Sequence, residues 1–393
     1  MLFLLGAFTV GLLITYYVIP TIVTLSKAKG LCDRPDKREM GGRKSKDKVP
    51  TIGGVAIFLG WSISSLVCLH SHFEQGMQYL LITIFMMLFI GLKDDILVLP
   101  PRAKFYIQGL AALVLVGLGG AYIKHLYGLF FAYDFSPWLS YPFSIVLILF
   151  LINAINLIDG IDGLAGGISL LVSLFLGVWF WLADDMGYAI MCFALVGSLV
   201  SFLRINIWGK ENKMYMGDTG SLMLGIFLAA AGIRFTEQNV LTPVEWVKFP
   251  QAPLIALALF IVPLTDTLSV FFIRIRAGRS PFSPDNNHIH YILRRTGMTH
   301  LQSTCCLLLY TVAFIAMAWL LSWLKFDITV SFTMMMALSF AIVFTARKLE
   351  QIRERGKILK QLRKMRLLTR SKQDGSLASI PNASLTRPVF LPE

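Results

Sequence analysis

Residues 144–182 read SIVLILFLINAINLIDGIDGLAGGISLLVSLFLGVWFWL. Two apolar runs, 138–155 and 164–182, flank eight residues that hold two aspartates and no lysine or arginine. Each run matches the roughly twenty residues that cross about 30 Å of hydrocarbon. Similar runs recur on either side, giving spans at 2–24, 51–69, 78–92, 105–122, 187–203, 219–235, 252–273, 304–324 and 327–346. In lipid a spanning segment must satisfy its own backbone groups, so these eleven are expected to be helices. The chain as a whole agrees: of its 393 residues 56% are hydrophobic and only 15% charged, where a soluble domain carries about a quarter charged. The fold class expected is an all-α polytopic membrane protein.

Charge orients it. The first positive residue is Lys27, so the first apolar run lacks the basic flank of a secretory signal and is expected to stay as a span with its N-terminus outside. With eleven spans the C-terminus is then cytoplasmic, and thirty-two of the 36 lysines and arginines fall in inside segments. The net charge of +13 concentrates in 27–48 and after Ala346, beside spans, which points to membrane lipids and not to nucleic acid. The five cysteines show neither a CxxC pair nor zinc spacing. Three regions result: a transmembrane catalytic domain over 1–346, a basic amphipathic cytoplasmic helix over 347–370, and a disordered tail over 371–393.

The carboxylates locate the chemistry. Apart from Asp327, the first residue of the last span, only 252–273 among the spans contains an acid, Asp266, while Asp94, Asp95, Asp159, Asp162 and Asp218 fall at inside helix ends or inside loops. Adjacent carboxylates repel, so Asp94–Asp95 calls for a cation or a raised pKa, although an ordinary helix cap would explain the pair taken alone. Hard oxygen ligands from several segments suit Mg²⁺ shared with substrate phosphates, with Mn²⁺ as a substitute. In 153–164, Asn153 and Asn156 lie one turn apart, and Gly160 and Gly163 allow close backbone approach. Asp218 opens an apolar span, where a helix N-terminus either takes it as a cap or favours phosphate and its metal. Tyr215 is placed to stack on a base. In the loop 274–303, Arg274, Arg276 and Arg279 suit phosphate oxygens, and His288 and His290 suit an extended segment over a site. Asp266 is expected to brace that loop from behind through Arg274, two turns on.

Together these motifs resemble the polyprenyl-phosphate N-acetylhexosamine-1-phosphate transferases, most closely the bacterial branch acting on UDP-GlcNAc and undecaprenyl phosphate. The resemblance runs from about residue 5 to 346 and rests on Asp33-Arg34-Pro35, Val49 through Gly54, Asp94-Asp95, Asn153 through Gly163, Met216-Gly217-Asp218, and Ser280 through His290. It implies catalytic roles for Asp94, Asp95, Asp159 and His288. Lys46, Asn153, Asn156, Asp162, Tyr215, Arg276 and His290 become substrate contacts, and Asp218 the Mg²⁺ ligand. It also implies a bacterial inner membrane location, a cytoplasmic active site and UMP release, and a homodimer is compatible with it. The chain departs from relatives at Arg38-Glu39-Met40-Gly41 and at 207–213, and His290 is followed by Tyr291, unlike the muramoyl-pentapeptide branch. Two rival readings are the same reaction on another UDP-hexosamine or UDP-MurNAc-pentapeptide, and a secondary transporter. Transporters place polar groups near the midplane, whereas here they gather at one interface.

Overall fold

The computed structural model describes residues 1–33, 49–69, 72–74, 76–281 and 286–373. The chain divides into two units, 1–346 and 347–393. The first carries helices α1 (Leu2–Lys29), α2 (Gly53–Leu69), α3 (Met77–Leu97), α4 (Pro101–Gly117), α5 (Pro137–Leu157), α6 (Leu164–Leu182) and α7 (Met186–Trp208). It continues with α8 (Gly217–Leu241), α9 (Ala252–Leu259), α10 (Ile261–Arg276), α11 (Ile289–Arg295), α12 (His300–Trp323) and the start of α13 (Ile328–Gln373). Among the described residues the sole sheet is an antiparallel pair, β1 (Cys32–Asp33) with β2 (Val49–Pro50). The tail beyond Gln373 lies outside the described residues.

Seven of these helices (α1, α5, α6, α7, α8, α12 and α13) are long and apolar enough to cross a membrane. The chain is thus a multi-pass helical protein. The span expected at 252–273 is not one straight helix: α9 and α10 meet at 70°. Pro263 explains the break, because it has no N–H for the carbonyl of Leu259 and its ring clashes there. Counting the bent pair as one span brings the number to eight.

α8 is the central helix, with 94% of its apolar window buried, against 28% for α1 and 33% for α12. It packs against α2, α3 and α5, and at each contact a glycine lets backbone approach backbone. A Cβ on Gly54 of α2 would fall 2.1 Å from the Gly220 nitrogen, and one on Gly91 of α3 would fall 2.5 Å from Thr219 Cα. A Cβ on Gly225 of α8 itself would fall 2.7 Å from Ile152 Cα on α5. Lipid supplies no hydrophobic drive between helices, so small residues that allow close packing hold such a bundle together. The result brings the ends of α3 and α5 beside the start of α8.

Gly225→Ala should therefore force α5 and α8 apart and cost about 1–3 kcal/mol, read as a lowered unfolding temperature in detergent. Gly109→Ala on α4, where a Cβ meets nothing within 4 Å, should leave that temperature unchanged or slightly higher.

Candidate active site

Past the span 78–92, α3 ends in Lys93-Asp94-Asp95 and the chain turns through Val98 in a left-handed conformation (φ 53°) into α4. The turn is held by Asp94, whose Oδ1 accepts from the Leu99 N–H at 2.6 Å. Lys104, on the first turn of α4, comes back over it: its ammonium donates to Asp94 Oδ2 at 2.7 Å and to Asp218 Oδ2 at 2.8 Å. The other oxygen of Asp218 accepts from Asn156 Nδ2 at 3.0 Å, and that amide also donates to Ser221 Oγ at 2.8 Å. Four chain segments thus converge on one cation between two carboxylates.

Asp95 does something different. Its Oδ1 accepts from the Asp218 N–H at 2.9 Å; its Oδ2 accepts from the Thr219 N–H at 3.0 Å and the Thr219 hydroxyl at 2.5 Å. It caps the N-terminus of α8 from a neighbouring helix, satisfying donors that a helix leaves open. Asp218 was an alternative cap for its own helix; the structure gives that role to Asp95 and leaves the Asp218 carboxylate facing Lys104 and Asn156. Gly217 makes the approach possible, with φ at 71° and with an imagined Cβ 2.6 Å from Asp95 Oδ2. Burial pushes the Asp95 carboxyl up from 3.8 to about 6, against the pull of the Thr219 donors. Burial also raises Asp94. Lys104 is raised because Asp218 and Asp94 outweigh its own burial.

A second cluster sits on the loop 158–163. The Lys213 ammonium donates to Asp162 Oδ2 at 2.7 Å, and His300 Nδ1 lies 3.2 Å from both that oxygen and the Asp162 backbone nitrogen. Burial alone would raise Asp162, but His300 and Lys213 hold it below the usual carboxylate range. The loop is pinned by the Gly163 N–H donating to Asn206 Oδ1 at 2.7 Å and by the Thr304 hydroxyl donating to the Asp162 carbonyl at 2.9 Å. Asp159 is half-buried on the same loop.

The histidine loop reaches the same place. His288 Nδ1 lies 2.8 Å from Asp266 Oδ2, and the Ile289 N–H donates to Asp266 Oδ1 at 2.7 Å. Asp266 therefore braces the loop by meeting it directly, while Arg274, buried, donates to the Pro281 carbonyl. His290 is fully buried against Gly160, where a Cβ would fall 2.1 Å from Nε2. That contact ties the histidines to the aspartate loop.

Other expected residues are placed as follows. Asn153 donates to Gln108 Oε1 at 2.9 Å and to the Leu149 carbonyl at 2.7 Å, linking α5 to α4. Tyr215 is buried at 5% exposure, its N–H on the Pro50 carbonyl at 2.8 Å, with the Lys213 ammonium 5.7 Å from its ring. Arg276 is exposed on the last turn of α10. Lys46 lies outside the described residues. Sequence reasoning passed over Lys104, Lys213 and His300. The two lysines read as ordinary inside charges, and nothing local marks His300 as the partner of a residue 138 positions away.

Among the described residues no group of three or more His, Cys, Asp or Glu side chains is arranged to hold a metal. Two carboxylates do face each other across Lys104, and Mg²⁺ is bound through one or two carboxylates when waters and substrate phosphates complete its shell. The residues present fit that manner of binding.

The chain is similar to known proteins over the segments that build this site. The model of the family described as glycosyl transferase family 4 matches residues 77–236. An undecaprenyl-phosphate alpha-N-acetylglucosaminyl 1-phosphate transferase of Haemophilus influenzae is 30% identical over 285 residues, covering 70% of this chain and 74% of its own. Enzymes of that name from Yersinia pestis and Escherichia coli K12 are each 28% identical, over 70% and 71% of this chain and 72% and 73% of theirs.

The raised Asp95 carboxyl has a testable sign. The folded chain keeps this proton up to about pH 6, whereas the unfolded chain releases it near 3.8. Raising the pH through that window therefore removes stability, and above about 6 the loss is complete. Asp95→Asn should flatten this part of the stability–pH curve while lowering the unfolding temperature at every pH. Unfolding temperatures in detergent from pH 4 to 7 test both effects; an unchanged slope would remove Asp95 as the titrating group.

Proposed function

The chain belongs to glycosyl transferase family 4, and on that premise we propose that it moves N-acetylglucosamine-1-phosphate from UDP-GlcNAc to undecaprenyl phosphate. UMP is released, and the product opens a cell-envelope polysaccharide pathway at its first membrane step. What carries the reading is the convergence of α3, α4, α5 and α8 on one cation between Asp94 and Asp218, in a chain whose relatives bear that enzyme's name.

The proposed topology has eleven spans, an outside N-terminus and a cytoplasmic C-terminus, with the site on the cytoplasmic face of the inner membrane, where a water-soluble nucleotide sugar is available. The acceptor phosphate reaches the same face from an isoprenoid chain lying among the helices. Its oxygen attacks the β-phosphorus of the donor, the bond from that phosphorus to the bridging oxygen breaks, and the electron pair leaves with UMP. Mg²⁺, or Mn²⁺ in its place, held by Asp218 with Asp94, would neutralise the diphosphate and the charge that develops in transfer.

The chain's own residues position and balance charge, which is most of what phosphoryl transfer asks of a protein. Lys104 moves from carboxylates to phosphate oxygens when substrate arrives. Asp94 accepts the remaining acceptor proton, a modest task for a monoester whose second pKa is about 6. Asp95, with both oxygens engaged on α8, holds Asp218 in place. His288, oriented by Asp266, and His290, seated on Gly160, close the site over the sugar and pyrophosphate. Asp159, Asp162 and Lys213 line the nucleotide end.

Purified protein with radiolabelled UDP-GlcNAc, undecaprenyl phosphate and Mg²⁺ should carry label into the organic phase and release UMP in equal amount. Asp218→Ala should abolish transfer while the protein still elutes as folded in detergent. A fully active Asp218→Ala protein would overturn the assignment, as would label that stays aqueous with every UDP-N-acetylhexosamine tried.

A further inference from the structure

Asp218 sits at one end of α8; toward the other end, about 27 Å along the helix, the Tyr127 hydroxyl donates to the Thr236 carbonyl at 2.6 Å. Tyr127 lines a cavity of about 760 Å³ whose walls include Gln251 before α9, Ser322 and Trp323 at the end of α12, and Lys325 and Asp327 before α13. None of these residues belongs to the transfer site.

Two buried polar atoms on this wall have no hydrogen-bond partner among the described residues, Ser322 Oγ and Gln251 Oε1. Ser322 is only 6% exposed. The Gln251 amide cannot be turned round to relieve the second, because its Nε2 donates to the Phe326 carbonyl at 2.6 Å, and a carbonyl only accepts. A buried acceptor and a buried hydroxyl thus belong to two residues that line a space large enough for a small headgroup, and polar groups so placed ordinarily find partners.

The backbone around the cavity is strained as well. Of the six non-glycine residues with positive φ among those described, Tyr127 (59°), Phe131 (65°) and Lys325 (56°) line it. Strain of this kind persists where the surroundings hold it, and it gathers at ligand sites. Here it is held by a loop that folds back on itself, with the Leu126 N–H on the Tyr133 carbonyl at 2.7 Å, and that is tied to α13 by the Phe130 N–H on Thr329 Oγ1 at 2.9 Å.

The lining specifies the ligand. Gln251 Oε1 needs a hydroxyl or amide donor, Ser322 can give or take, and Lys325 supplies a cation. Asp327 also lines the pocket, but its Oδ1 accepts from the N–H groups of Thr329 and Val330 at 2.9 and 3.0 Å, capping α13, and among the described residues it forms no ion pair with Lys325. The exposed rings of Trp323 and Phe131 are the kind that settle at a membrane interface. We propose that this cavity binds an anionic phospholipid whose headgroup carries free hydroxyls, of the phosphatidylglycerol type: phosphate on Lys325, hydroxyls on Gln251 and Ser322, acyl chains outward past the aromatic rim.

Native mass spectrometry of the delipidated full chain, reloaded with single lipids in micelles, tests this. Phosphatidylglycerol should be retained about tenfold over phosphatidic acid, which lacks the hydroxyls, and over phosphatidylcholine, which lacks the net charge. Ser322→Ala should cut that preference roughly five-fold, and Lys325→Ala should bring phosphatidylglycerol down to the phosphatidylcholine level, both with transfer activity unchanged. Equal retention of the three lipids would overturn the proposal, as would an undiminished preference in both variants. So would equally good competition by soluble glycerophosphoglycerol, which would make the ligand a free phosphate ester.

Discussion

One carboxylate organises the centre of this protein. Asp95 sits at the end of α3, yet its two oxygens serve the first turn of α8, accepting from two backbone N–H groups and one hydroxyl. Helix N-termini carry open donors and a positive partial charge, and a buried one must be answered. Because the answer comes from another helix, the cap also works as a clamp between helices. It fixes where α8 begins, and so where Asp218 stands relative to Asp94, its immediate neighbour in the chain.

The clamp can reach only because the helices already lie close. Gly91 against Thr219 and Gly54 against Gly220 remove the side chains that would separate them. The same economy recurs at Gly160, where the ring of His290 occupies the place of a Cβ. From there the groups join into a chain across the face: Lys104 between Asp94 and Asp218, Asn156 on Asp218, Lys213 and His300 on Asp162, His288 on Asp266. Each acid is met by a donor from a different segment, so the face is assembled by the packing of the bundle and not by any one loop.

Much of this was legible in the sequence, for a physical reason. Spans announce themselves by length and apolarity, and acids left at their ends stand out against lipid; Asp94, Asp95, Asp162 and Asp218 stand out that way, and Asn156 by its one-turn spacing from Asn153. What stayed hidden depended on pairing in space. Nothing local separates Asp95, a cap, from Asp94, which faces the cation. Lys104 and Lys213 were masked by the general excess of positive charge on the loops expected to lie inside. The break between α9 and α10 was within reach, since Pro263 stands in the middle of the run, but apolarity alone could not say that the helix would bend there.

The position of Lys104 also has a thermodynamic consequence. A divalent ion arriving between Asp94 and Asp218 would not fill a gap; it would have to exchange with an ammonium already bonded to both at 2.7 and 2.8 Å. On its own such an ion gains little, because the displaced lysine is left without an anion. Under the proposed function, a phosphate entering with it would restore the lysine's partner, so ion and nucleotide would each make room for the other, and the affinity of either one measured alone would understate what the pair achieves together.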